Sequence, residues 1–330
     1  MRKFDAYPVY QFLPAGFRLR PSTLQDLPGI ADLFNACDIA DGDQPETTPN
    51  ELMLEFQRTG FDPEVDAWVI TRDEDGLVVA YAEVWNRKNH TSLSGDSYVH
   101  PLYRELGLGI NLLRVIEVRA REHLPLAPPE LPVKLRNGVS GADKLACAQH
   151  VNLGYMPVRY FWRMEIHMQN IPPQPVWPPG TTIRNVIPGE DDRPLYDALE
   201  EAFTDHWGDS PWDFETWRIR RFTNDDFDPT LWFLAMDGDN IAGATISRYR
   251  GENGWVSQLA VRRPWRRLGM GLALLRQSFG EFYRRGTSKV GLTVDAQNPT
   301  GATRLYEHAG MRLANEYIVY EKELRQGIEI

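Results

Sequence analysis

Apolar residues in this chain fall into short runs broken by glycine, proline and aspartate, and the same succession of runs occurs twice. Phe17-Arg18-Leu19-Arg20-Pro21 reads as a short strand, and after Asp26 the residues Leu27, Ile30, Leu33 and Phe34 recur at helical spacing. Thr181-Thr182-Ile183-Arg184-Asn185 repeats the strand. Leu195, Leu199, Ala202 and Phe203, after Asp191-Asp192, repeat the helix. Apolar residues three and four apart define one face of an amphipathic helix, and the aspartates suit a capped start. Ala67–Arg72 and Leu77–Val84 flank Asp75-Gly76, while Leu231–Ala235 and Ile241–Ile246 flank Asp237-Gly238. Both read as hairpins with Asp-Gly turns. Further strands are expected at Pro132–Leu135 and Lys289–Val294, and each half closes with a helix, a glycine step and a last strand. The order β-α-(α)-β-β-β-loop-α-β-α-β predicts an α/β fold, a mixed sheet with helices on its faces, made twice.

Between the hairpin and the next helix each half carries a glycine loop. Val99-His100-Pro101-Leu102-Tyr103-Arg104-Glu105-Leu106-Gly107-Leu108-Gly109 is one copy, and Val261-Arg262-Arg263-Pro264-Trp265-Arg266-Arg267-Leu268-Gly269-Met270-Gly271 is the other. They lie 162 positions apart. Two glycines permit a tight turn and close approach of a ligand. The helix that follows offers unpaired N–H groups and a partial positive charge, a natural seat for a diphosphate. The arginine ahead of the glycines adds a cation with a planar fork. The dinucleotide fingerprint needs a third Gly or Ala where Leu112 and Leu274 stand, and the P-loop ends in Gly-Lys-Ser/Thr, which the chain lacks.

A length of 330 residues suits two domains. The proline-rich stretch 171–180 reads as a linker between an N-terminal domain, 1–170, and a C-terminal domain, 181–330. Hydrophobic residues make up 42% and charged residues 25%, which is enough apolar surface for real cores. A formal charge of −10 argues against nucleic acid or an anionic membrane as partner and suits a small cationic substrate. Cys37 and Cys147 are too few for a disulfide framework or a thiolate zinc cluster, and the histidines show no metal spacing, so no metal is expected. The opening Met1–Gly16 does not read as a signal peptide and no run approaches a membrane span, so a cytoplasmic place is expected.

The element order and both loops resemble the GNAT acyltransferase superfamily, in tandem over nearly the whole chain. The resemblance implies acetyl-coenzyme A (acetyl-CoA) as donor, its diphosphate cradled by Arg-x-x-Gly-x-Gly. Residues Arg266, Arg267, Leu268, Gly269, Met270 and Gly271 fit that signature, and Leu259, Ala260 and Val261 would meet the acetyl carbonyl and pantetheine arm. Asn298 fits a position that contacts the cofactor arm, and Tyr306, eight places later, one near the thioester sulfur. Tyr306 is thus the candidate general acid. The first half keeps Val99, Arg104, Gly107 and Gly109 but sets His150 against Tyr306, and places Glu105 beside the loop. It reads as a degenerate copy, binding cofactor weakly at most.

The implied function is N-acetyl transfer to a primary amine of a small molecule by direct attack. The segment after the first helix of the second half would wall the acceptor pocket, which makes Asp205, His206 and Trp207 substrate-binding candidates. Asp205 or His206 could also serve as base, and a solvated loop is the plain alternative. The tandem member that makes mycothiol is expected to carry a carboxylate early in the fourth strand. Trp255 stands there in this chain, which argues against that substrate. Two other readings stay open: a non-catalytic acyl-CoA-binding or sensing protein, and a purely structural pair of domains. A monomer with an internal pseudo-dimer and a homodimer are both compatible with the repeat.

Overall fold

The computed structural model describes residues 13–204, 207, 212–223, 227–298 and 301–328. The first run of elements is β1 (Phe17–Pro21), α1 (Leu27–Ala40), α2 (Pro49–Phe56), α3 (Pro63–Asp66), β2 (Ala67–Arg72), β3 (Val78–Lys88), β4 (Ser92–Val99), α4 (Leu108–Glu122), β5 (Val133–Ser140), α5 (Lys144–Asn152) and β6 (Met156–His167). The second is β7 (Thr181–Asn185), α6 (Asp192–Phe203), α7 (Phe214–Phe222), β8 (Phe233–Asp237), β9 (Asn240–Arg250), β10 (Asn253–Val261), α8 (Met270–Arg284), β11 (Lys289–Asp295), α9 (Ala302–His308) and β12 (Arg312–Arg325). The repeat expected from the apolar pattern is present, and the first run adds the short helix α3 before its hairpin. Several boundaries differ: Leu231 ends a short 3-10 turn and the strand begins at Phe233, while β3, β5 and β9 run on past the expected ends to Lys88, Ser140 and Arg250.

The chain divides into two compact units, but not at the proline-rich stretch. One comprises Met1–Tyr160 with Asn315–Ile330, the other Phe161–Ala314. Each half of the sequence therefore gives the larger part of its last strand to the other unit. In the N-terminal unit β1 to β4 run antiparallel, β4 pairs parallel with β5, and β12 closes the edge antiparallel to β5, with Tyr320 opposite Asn137. In the C-terminal unit β7 to β10 run antiparallel, β10 pairs parallel with β11, and β6 lies antiparallel to β11, Phe161 opposite Asp295. Residues 171–180 are no free tether, since Trp177 packs on a C-terminal core cluster containing Phe233, Met270 and Leu274. Proline removes donors and so suits an extended segment, but it does not stop the segment from packing a partly buried tryptophan on the core.

Parallel pairing in both units is short. β4 and β5 pair only over Ser92–Gly95 with Lys134–Asn137, and β10 and β11 only at Gly254–Trp255 with Val290–Gly291. Beyond those points the strands part. The divergence leaves one edge of Leu259, Ala260 and Val261 without a strand partner, while their other edge pairs with Thr245, Ala244 and Gly243 of β9.

Candidate active site

Both glycine loops leave their strand through a 3-10 turn and reach a left-handed glycine that starts the next helix. Gly107 has φ 73° ahead of α4, and Gly269 has φ 87° ahead of α8. Only glycine takes this conformation without steric cost. In α8 the first backbone bond runs from the Ala273 amide to the Gly269 carbonyl, at 3.1 Å. The amides before it lie at the positive end of the helix. A Cβ built on Gly269 would meet no atom of the described residues within 4 Å, so among them the space over the loop is open. Arg267 beside it is exposed and also left-handed, at φ 64°. An open, amide-lined helix start with a cation at its rim fits a diphosphate.

The arginine that defines the motif is placed otherwise than its charge suggested. Arg266 donates from Nε to the Val261 carbonyl and from Nη2 to the Ala202 carbonyl, both at 3.0 Å. It ties the loop to the end of β10 and to α6. Arg104 makes the equivalent tie through two ion pairs, to Asp41 and Asp143, each at 3.0 Å. In both copies this residue braces the loop, and in the second Arg267 stands exposed beside the glycines. The second glycine serves packing. A Cβ on Gly271 would lie 3.1 Å from Leu305 of α9, and one on Gly109 would collide with Gln149 of α5.

Tyr306 and His150 occupy matching places. The Met311 amide bonds the Tyr306 carbonyl and the Tyr155 amide bonds the His150 carbonyl, both at 3.0 Å. Tyr306 is 7% exposed, and its hydroxyl has no hydrogen bond among the described residues. Burial pushes its phenol up to about 12, so it stays protonated through the neutral range. His150, at 1% exposed, is tied down instead. Its Nδ1 lies 2.8 Å from the Ala146 carbonyl, its Nε2 3.2 Å from the Asn137 side-chain amide, and its ring stacks on Tyr320 at 5.1 Å. Burial lowers its pKa and keeps it neutral. Asn298 holds the turn after β11: its amide bonds the Asp295 carbonyl at 3.0 Å. Trp207 lies 6.3 Å from the Phe161 ring, whereas Asp205 and His206 lie outside the described residues.

Ser257 escaped the sequence reading because a serine is no base. The β9–β10 register slips between Val256 and Gln258, which makes Ser257 the extra residue of a β-bulge. Its Oγ is buried without a hydrogen-bond partner among the described residues. A bulge depends on the partner strand and leaves no mark in one sequence.

In the N-terminal unit the diverging strands enclose a cavity of about 190 Å³ whose wall includes Asp38, Asp41, Asp96, Asp143 and Arg104. Four carboxylates against one arginine disfavour a diphosphate. Burial, with Glu83 nearby, pushes the Asp96 carboxyl up to about 7. Its folded pKa thus exceeds the unfolded value of about 3.9. The linked stability is present below about pH 4 and is lost as pH rises through 7. Asp96→Asn is therefore expected to raise the Tm by several degrees at pH 8 and little at pH 4, as thermal unfolding at the two pH values would show. An equal shift at both would remove the titration of Asp96 as its cause.

A family profile described as the acetyltransferase (GNAT) family matches residues 193–311. The crystal structure of a GCN5-related N-acetyltransferase from Sphaerobacter thermophilus is 38% identical, with a TM-score of 0.79 over 96% of this chain and 99% of that one. The chain belongs to the GNAT acetyltransferase family. A mycothiol acetyltransferase of Salinispora arenicola is 30% identical over 320 residues, 94% of this chain and 98% of the relative. A tandem GNAT protein from the clavulanic acid biosynthesis pathway, 16% identical, shares the fold at a TM-score of 0.68 over 94% of this chain and 99% of that one. This tandem GNAT protein is an acyltransferase that moves an acetyl group from acetyl-CoA to an amine of a small molecule. Among the described residues no helix is long and apolar enough to cross a membrane, and no group of three or more His, Cys, Asp and Glu could hold a metal ion.

Proposed function

We propose that the C-terminal unit alone performs the transfer, with Tyr306 as general acid and the loop from Arg266 to Gly271 as the diphosphate seat. One observation carries this reading. At the same helix-end position one unit holds a protonated phenol without a partner among the described residues, and the other a histidine held by two polar contacts and a stacked ring.

Bound acetyl-CoA supplies an acyl group activated on a thiolate leaving group. The protein does the rest. The amides at the start of α8 and the Arg267 guanidinium hold negative charge. The unpaired edge of Leu259, Ala260 and Val261 offers main-chain groups to the arm and carbonyl. Tyr306 keeps its proton until sulfur needs it. Leu268 is exposed at the loop's crest, and Met270 and Gly271 pack the loop onto the core. The N-terminal unit is a degenerate scaffold, because its groove is acidic and its arginine is paired. The acceptor that the mycothiol acetyltransferases act on is not carried over, since the early part of β10 presents Trp255 and no carboxylate.

Isothermal calorimetry with acetyl-CoA tests this reading by counting sites. One site per chain is expected, and two equivalent sites would restore the N-terminal groove as a working one.

A further inference from the structure

Where α7 faces β9 and β10 the C-terminal unit has a cavity of about 190 Å³. This is smaller than the roughly 300–1,000 Å³ of drug-sized pockets, so it suits a compact group. Phe227, Trp232, Ile246 and Trp255 give it apolar walls, and Arg221 and Arg248, which also line it, have partners of their own within the chain. Ser257 lines it too, and its Oγ is buried with no hydrogen-bond partner among the described residues.

The next residue repeats the defect. Gln258 Oε1 is also buried without a partner among the described residues. Successive residues of a regular strand point to opposite faces, but the bulge at Ser257 breaks that alternation. Gln258 stands directly opposite Ile246, whose side chain lines the cavity. Directly opposed residues share a face of the sheet, so Gln258 lies on the cavity's face, as Ser257 does. Two neighbouring oxygens on one face are thus acceptors left unmet, a cost that a donor from a ligand would offset. Leu259 follows at once, where the edge without a strand partner begins. At about 3.3 Å per residue, Gln258 is one step along the strand from the main-chain groups offered to the acyl carbonyl.

We propose that Ser257 Oγ and Gln258 Oε1 each accept one N–H bond of the acceptor's primary amine and so aim its lone pair at the acyl carbonyl. This rests on the C-terminal unit being the working site. A neutral primary amine has two N–H donors and one lone pair, so two acceptors orient it and leave the lone pair free to attack. A secondary amine has one N–H and leaves one oxygen unmet. An ammonium has no lone pair, and among the described residues no carboxylate lines the cavity to favour that form. The lone pair forms the C–N bond, the C–S bond breaks with its electrons on sulfur, and sulfur takes the Tyr306 proton. Nitrogen sheds one proton to solvent water, and water returns one to the Tyr306 phenolate.

Matched amines test it. Benzylamine is compared with N-methylbenzylamine, and ethanolamine with N-methylethanolamine, with release of free thiol as the readout. In at least one pair the primary amine is expected to exceed its N-methyl partner in kcat/KM by about tenfold or more. Ser257→Ala and Gln258→Met should each lower that ratio several-fold, with the Tm unchanged because neither oxygen bonds a described residue. Gln258→Met is the sharper variant. Methionine fills similar space without the oxygen, so a preference caused by crowding of the N-methyl group would survive it. A ratio near one in both pairs, a ratio untouched by either substitution, a ratio that falls only alongside a lowered Tm, or acetyl-CoA binding with no turnover of either primary amine would each overturn the proposal. Failure of the underlying reading shows separately, as two acetyl-CoA sites or none by calorimetry in the unsubstituted protein.

Discussion

Gly269→Trp is expected to abolish acetyl-CoA binding and turnover, while Gly107→Trp leaves most of both. The pair is informative because the two glycines are geometrically alike. Both are left-handed, at φ 87° and 73°, both precede a long helix, and neither has an atom of the described residues within 4 Å of a built Cβ. Each substitution carries a similar backbone cost, on the order of 1–2 kcal/mol for an L-residue in that region. Folding penalties therefore nearly cancel between the variants, and any difference in binding reports on the ligand. At Gly269 an indole would fill the open space over the helix start and cover the amides that hold the diphosphate. Losing several charge-assisted bonds would weaken binding by about 10²-fold or more. Calorimetry with thermal unfolding as a check on folding decides it. Unchanged affinity in a folded Gly269→Trp protein would falsify the diphosphate seat, and loss of activity in a folded Gly107→Trp protein would reinstate the N-terminal loop.

Tyr306→Phe is expected to lower kcat by roughly 10²–10⁴, the range of a lost general acid, with acetyl-CoA affinity little changed. The hydroxyl has no hydrogen bond among the described residues, so removing it leaves no protein partner stranded and costs little stability. A structural tyrosine and a catalytic one thus separate cleanly, since only the second shows a large fall in rate at an unaltered Tm. The pH profile adds a sign. With the phenol at about 12, kcat/KM should climb as the acceptor amine loses its proton and show no alkaline fall up to about pH 10. Wild-type turnover in Tyr306→Phe, with chemistry limiting the rate, would return the residue to the core.

The repeat was legible because hydrophobic period and turn chemistry are local. Leu195, Leu199 and Ala202 sit on α6, and Asp237-Gly238 turns a hairpin, where a reading of neighbours places them. What escaped depends on partners distant in the chain. Arg266 looks like a phosphate ligand in a motif, but two carbonyl oxygens claim it, one of them more than sixty residues away. Arg220, Arg221 and Arg248 are plain in the sequence, but only strand register brings Arg248 beside Trp255 and under α7. The 171–180 prolines suggested where the chain divides, whereas the units exchange their last strands. A strand's own alternation says that it has a buried face and not which sheet receives it.

That exchange ties folding to the order of synthesis. The C-terminal unit needs β6, which is made before the rest of it, so its edge strand is already waiting. The N-terminal unit is in the opposite position. Its segment up to Tyr160 leaves the ribosome roughly 150 residues ahead of the strand that completes it, a delay of roughly 8–30 s at common translation rates of about 5–20 residues per second. Through that interval β5 is an open edge, and His150 lacks the Tyr320 ring that stacks on it. Unpaired edges of this kind recruit strands from other chains, so nascent molecules of this protein are most exposed to mispairing with one another while β7 to β11 are being made.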